Sequence, residues 1–227
     1  MEKRHKKTLA RTLNCATVCT KITLIAALFI PGLVTVTLFT QKAKTPAFPQ
    51  IAEHAVKVPK ELVKIYSIVK SQRPDISEEE GWKVAEVILE QSSKHSFDPL
   101  LVLAMIQVES GFQYAAVSPA GARGIMQLLP DVAKDLLSKI SPIQEAKPKP
   151  FKPEYLDDPV LNIQLGVTYL HDLRNNFRNL NLALIAYNLG PTEIRNRLDN
   201  KMELSDDYST AVLAAYHNYK NAKMPLF

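Results

Sequence analysis

Residues Pro99 to Val108 read PLLVLAMIQV, with Gln107 the only strongly polar side chain among them. Asp98 in front of the stretch is a good helix cap, and Pro99 suits the first helical position, so a helix starts here. A helix that is apolar on almost every side is normally buried on almost every side. This stretch therefore belongs in the interior of a domain. No convincing alternating run of a β-strand occurs anywhere else in the chain, so the predicted fold class is all-α.

The surrounding sequence is punctuated as helices. Lys60 to Arg73 carries Leu62, Ile65, Tyr66, Ile68 and Val69 at amphipathic spacing, and Pro74 ends it. Ser77-Glu78-Glu79-Glu80 reads as a capping box that opens a helix to about Ser93, with Trp82, Val84, Ala85, Ile88 and Leu89 on its apolar face. From Pro130 the pattern stays helical through Ile140. Ser141 to Pro153, rich in Pro and Lys, reads as an exposed loop. Asp158-Pro159 repeats the signal of a cap followed by proline. Asn181 is expected to cap a short apolar helix that stops at Gly190, Pro191 starts the next, and Asp206 or Asp207 begins a last helix through about Asn221. No internal repeat is evident.

Charge and hydropathy divide the chain. Of 227 residues, the first 44 hold eight Lys and Arg against one Glu, and the remainder holds 20 basic against 22 acidic side chains. The formal charge of +5 thus belongs to a tail. Nucleic-acid binding needs positive charge clustered on the domain itself, so it is not expected. Ile22 to Phe39 is eighteen residues without a charge, close to the length that crosses a bilayer as a helix. Positive charge ahead of it places the N-terminus in the cytoplasm and the C-terminal part outside. A cleaved signal peptide, its short apolar core ending at Pro31-Gly32 and its cleavage falling near residue 40, is the competing reading. Cys15 and Cys19, the only cysteines, lie in the basic tail, so no disulfide staples the domain. Their spacing with no His nearby does not suggest a metal site, and reversible lipidation is weakly signalled. The expected layout is a basic cytoplasmic tail (1–21), a transmembrane signal-anchor (22–40), a linker (41–59), a helical lead-in (60–76) and a catalytic domain (77–223).

Glu109 stands at the end of the buried stretch. Apolar surroundings and the negative end of a helix dipole both disfavour its charged form. Both raise its pKa, as a general acid working near neutral pH requires. Taken alone, it reads first as a solvated helix end before a loop. The glycines Gly121 and Gly124 read as turn punctuation, Gln127 as a surface helix residue, Tyr187-Asn188 as a buried tyrosine and a helix stop, and Tyr208 as a core residue.

Together these residues form an ordered set of motifs. They are Glu109-Ser110 with Phe112; Ala116-Val117-Ser118-Pro119-Ala120-Gly121-Ala122-Arg123-Gly124-Ile125-Met126-Gln127; Asn162-Ile163 with Gly166, Tyr169 and Leu170; and Ala186-Tyr187-Asn188-Leu189-Gly190-Pro191. From about Ser77 to Asn221 the chain resembles the soluble lytic transglycosylase (SLT) domain, a lysozyme-like α-helical fold shared with goose-type lysozymes. The resemblance implies a peptidoglycan-cleaving enzyme without metal or cofactor. It implies Glu109 as the single catalytic acid/base. Ser118, Met126 and Gln127 (the last two from Gly-Leu-Met-Gln, with Ile125 for Leu), Tyr187, Asn188 and Tyr208 would be substrate-binding. Leu204-Ser205-Asp206-Asp207, just before Tyr208, departs from the family's Glu-Thr-Arg-Asn. With the apolar run as an anchor, the domain would lie on the outer, periplasmic side of a bacterial inner membrane beside its glycan strands. A goose-type hydrolytic muramidase and a non-catalytic wall-binding scaffold are the alternatives with the same fold.

Overall fold

The structure is a computed structural model and describes residues 58–140 and 150–222. The chain divides into two units, Met1–Glu53 and His54–Phe227, and all described residues belong to the second. The proposed anchor segment at 22–40 and residues 141–149 of the Pro- and Lys-rich loop lie outside the described residues.

Among the described residues eight α-helices run in order: α1 (Lys60–Gln72), α2 (Glu78–His95), α3 (Pro99–Ser110), α4 (Pro130–Ile140), α5 (Pro159–Phe177), α6 (Leu180–Leu189), α7 (Pro191–Asp199) and α8 (Asp207–Asn221). A short 3-10 turn at Pro153–Asp157 precedes α5. Among the described residues the only extended pairing is two isolated bridges, Val117 with Arg123 and Arg123 with Leu128.

The helix starts follow from local chemistry. Ser77 Oγ accepts the Glu80 N–H at 3.1 Å, and Asp98 and Asp158 each accept an N–H two residues on at 2.9 Å. Each cap satisfies a first-turn donor that has no partner within the helix. The cap of α6 is Asn179, not Asn181 as expected from the sequence; its Oδ1 accepts the Leu182 N–H at 3.0 Å. Arg178 takes a left-handed φ of 49°, which ends α5 and reverses the chain in one step. That early reversal leaves Asn179 extended and starts α6 two residues sooner.

α3 is the interior element. Leu101 through Ile106 are all buried, the least so Leu101 at 5% exposure. Each large apolar side chain among them contributes about 1.5–3 kcal/mol when removed from water. α8 packs along α3, α2 and α1 lie against it, and α5 joins α2 to α6. The extended turn between α3 and α4 is tied to α5 through Asn162. Its Oδ1 accepts the Met126 N–H at 2.8 Å, and its Nδ2 donates to the carbonyls of Arg123 (3.0 Å) and Leu156 (2.9 Å). A fully buried amide with its hydrogen bonds satisfied this way pins backbone rather than penalising the core.

Candidate active site

Glu109 occupies the last turn of α3, where Gly111 stops the helix at φ 58°. Its carboxyl faces a cleft of about 440 Å³ that is also lined by Ser118, Gln127, Tyr169, Tyr187 and Asn188. Leu129, Val132 and Pro191 supply apolar wall. Among the residues lining this cleft, Glu109 is the sole carboxylate.

Burial pushes the Glu109 pKa up from the ordinary 4.5 to about 7, and a hydrogen bond from Tyr208 works the other way. The Tyr208 hydroxyl donates to Glu109 Oε1 from α8. Tyr187 and Tyr208 are both held well above the ordinary phenol pKa, first by burial and then by the charge of Glu109. Both are therefore neutral donors throughout the working range.

The other residues expected at the site fall into two groups. Ser118 and Asn188 line the cleft, and Ser118 Oγ accepts the Ala122 N–H at 3.1 Å, which closes the turn it sits on. Gln127 lines the cleft as well, but its Nε2 is committed to the carbonyls of Ala116 (3.0 Å) and Gly124 (2.9 Å). It sits in a bend at φ 48°, not on a surface helix. Met126 is not among the residues that line the cleft, and its side chain is fully buried. The physical reason is Gly166 on α5, where a Cβ would come within 2.6 Å of the Met126 sulfur, so the glycine makes the space that this side chain fills. Met126 reaches the site only through its carbonyl, which accepts the Tyr187 hydroxyl at 3.0 Å. Tyr187 therefore lends the cleft its ring and spends its hydroxyl on holding the turn.

Two contributors were not among the expected site residues. Tyr169 on α5 lines the cleft and lies tilted against Tyr187, with ring centroids 5.2 Å apart. Its place in the Asn162–Leu170 motif was the available signal. Ser110 Oγ donates to the Ile125 carbonyl at 2.7 Å, tying the residue after Glu109 to the turn that forms the cleft floor. Among the described residues no group of three His, Cys, Asp or Glu side chains is arranged to hold a metal ion.

Among the described residues the domain is built of helices, and it buries one carboxyl group at the end of a core helix, facing a cleft. The sequence model of the Transglycosylase SLT domain matches residues 86–219, more than half the chain. The chain belongs to that family. It is 32% identical over 129 residues to a membrane-bound lytic murein transglycosylase C of Mannheimia succiniciproducens, covering 53% of this chain and 35% of that protein. It is 34% identical over 116 residues to the protein of that name from Serratia proteamaculans, covering 50% of this chain and 30% of that protein. The chain thus spans about a third of the length of these curated relatives. Among solved structures, a complex of the 70-kDa soluble lytic transglycosylase with bulgecin A superposes with a TM-score of 0.53 at 22% identity. The match covers 73% of this chain and 30% of that one, and it supports the shared fold.

Proposed function

We propose that this protein is a peptidoglycan lytic transglycosylase, cleaving the β-1,4 bond between N-acetylmuramic acid and N-acetylglucosamine without water. The observation that carries the reading is Glu109, the lone carboxylate of its cleft, with a pKa near 7. Ordinary glycosidases place two carboxylates across the bond. With one, the same residue gives a proton to the leaving oxygen and takes one back, and the substrate supplies the second group. The muramyl acetamide oxygen stabilises the cationic C1. Ionised Glu109 then removes the proton from the C6 hydroxyl of the same sugar, whose oxygen closes on C1 as a 1,6-anhydro ring. Family membership and the names of the murein transglycosylase relatives support the substrate class.

In this scheme Tyr208 donates to Oε1, which leaves Oε2 to carry the catalytic proton. Ser118, Gln127, Tyr187 and Asn188 contact the glycan, with Tyr169 as a further ring. Digestion of purified sacculi followed by mass spectrometry tests the reading. Products whose muramyl ends are one water lighter than a reducing end are expected; reducing ends would mean a hydrolytic muramidase instead. Sacculi bound without release of soluble fragments would mean a scaffold.

The pH dependence follows from the site. Donation requires protonated Glu109, so kcat/KM falls as pH rises through about 7. Tyr208→Phe removes a hydrogen bond that favours the ionised form. That limb of the profile then moves to higher pH, and kcat drops about tenfold because the returning charge loses a charge-assisted partner. A pH–rate series on the two proteins reads both effects, and an unchanged alkaline limb would discard the role of Tyr208.

We also assign the run at 22–40 as a membrane anchor, with the lead-in at 60–76 and the catalytic domain at 77–223 held outside. The words "membrane-bound" in the relatives' names support association with a membrane. None of the described helices is long and apolar enough to cross one.

A further inference from the structure

Glu109 is succeeded by an unusual turn. Gly111 and Phe112 both take left-handed backbone, at φ 58° and 66°. For glycine this is easy, but for a residue with a side chain it is disfavoured and needs support from its surroundings. The Phe112 ring is fully buried. On one side the turn is held by Ser110 Oγ on the Ile125 carbonyl. On the other side it is held from outside the matched family segment. Arg73, just past the end of α1, donates through its Nη1 to the Phe112 carbonyl at 2.9 Å.

The guanidinium is itself fixed on three sides. Its Nε and second Nη fork onto Asp75 at 2.7 and 2.8 Å, and its centre lies 4.5 Å from the Tyr114 ring centroid. Only 15% of the side chain is exposed. A planar five-donor group can hold a carboxylate and a carbonyl at once, whereas an ammonium on a flexible stem cannot reproduce that fork. The pairing with Asp75 is tight enough to hold that carboxyl at about 2.

We propose that Arg73 is a positioning residue for Glu109: from the lead-in helix it clamps the left-handed turn that ends α3, and so sets where the carboxyl stands in the cleft. Arg73 lies thirteen residues ahead of the start of the matched family segment. The functional unit therefore includes α1, and the lead-in is part of the active-site architecture.

This inference rests on the reading of Glu109 as the acid, and its test has a readout independent of turnover. The full chain in detergent is prepared as wild type, Arg73→Ala and Arg73→Lys. The Glu109 carboxyl is titrated by carbon-13 NMR, and kcat and KM on sacculi are measured alongside. In Arg73→Ala the loosened turn admits water, so Glu109 titrates at a lower pH than in wild type. There kcat falls about tenfold while KM stays within about twofold, as expected from misplacing a catalytic group. Arg73→Lys falls between the two. If Arg73→Ala folds and both its Glu109 titration and its kcat match wild type, the clamp has no role in the site. If Arg73→Ala does not fold, a wild-type titration curve in Arg73→Lys overturns the proposal equally. An inactive wild type would count against the transglycosylase reading, and the NMR comparison would still decide this one.

Discussion

Glu109→Gln is expected to end turnover and, above neutral pH, to stabilise the protein. A single residue gives and takes the proton in the proposed scheme, so its amide isostere can do neither, and kcat falls by about 10³-fold or more. Binding of glycan strands persists, because the amide keeps the size of the carboxyl. The stability effect has the opposite sign. The carboxyl titrates near 7 in the folded protein against an ordinary 4.5, so the folded state holds its proton over a range in which the unfolded chain has released it. Its contribution is fully present below 4.5 and is lost as pH rises toward 7. Beyond that, burying the charge costs on the order of 3 kcal/mol. The amide never ionises and escapes that loss. Thermal melts of the two proteins should agree most closely below pH 4.5 and separate at pH 8 with Glu109→Gln the higher. Retained turnover would remove Glu109 from the chemistry, and a lower melting point for the variant at pH 8 would contradict the buried-charge account.

The second large effect is structural. Gly124→Ala places a Cβ 2.1 Å from Asn162 Nδ2 and 2.2 Å from the Leu156 carbonyl oxygen, at a backbone φ of 88°. Neither neighbour can yield cheaply. Asn162 is held by three hydrogen bonds, one of them to that same carbonyl, and moving it strands buried polar groups. Overpacking, strained backbone and lost hydrogen bonds together cost about 4 kcal/mol or more. For a protein of this size that lowers the melting temperature by roughly 10 °C or prevents folding. Gly121→Ala is the internal control: its φ of 82° carries the backbone strain, but nothing lies within 4 Å of the added Cβ. Calorimetry on the pair separates the contribution of the clash. Equal melting temperatures would mean that the Asn162 bridge is softer than its geometry implies.

Much of the helical layout was legible because its signals are local. Ser77, Asp98 and Asp158 announce helix starts through bonds that span two or three residues, and proline and glycine mark ends without help from the rest of the chain. The misplaced cap at Asn181 is instructive. Two asparagines stand two residues apart, and the choice between them was made by the left-handed Arg178, whose conformation nothing in the local sequence required. The capping box at Ser77 shows only its first half, the bond from the Glu80 N–H.

The site was legible to a different degree. An apolar stretch with one carboxylate at its end determined by itself that Glu109 would stand at the edge of the core, because burial of an all-apolar helix leaves its first polar end as the point of exit. The sequence also carried the motifs that mark the cleft turn and α6. Only the tertiary structure decided how those pieces face each other. It brought Tyr208 to Glu109 across 99 residues and Arg73 to Phe112 across 39. It turned Met126 inward onto Gly166 and directed the amide of Gln127 to the backbone carbonyls of Ala116 and Gly124. The reason is physical: a cap or a helix period is settled by neighbours within a turn or two. The direction of a side chain at the meeting of α3, α5, α6 and α8 depends on the volume that distant segments leave open.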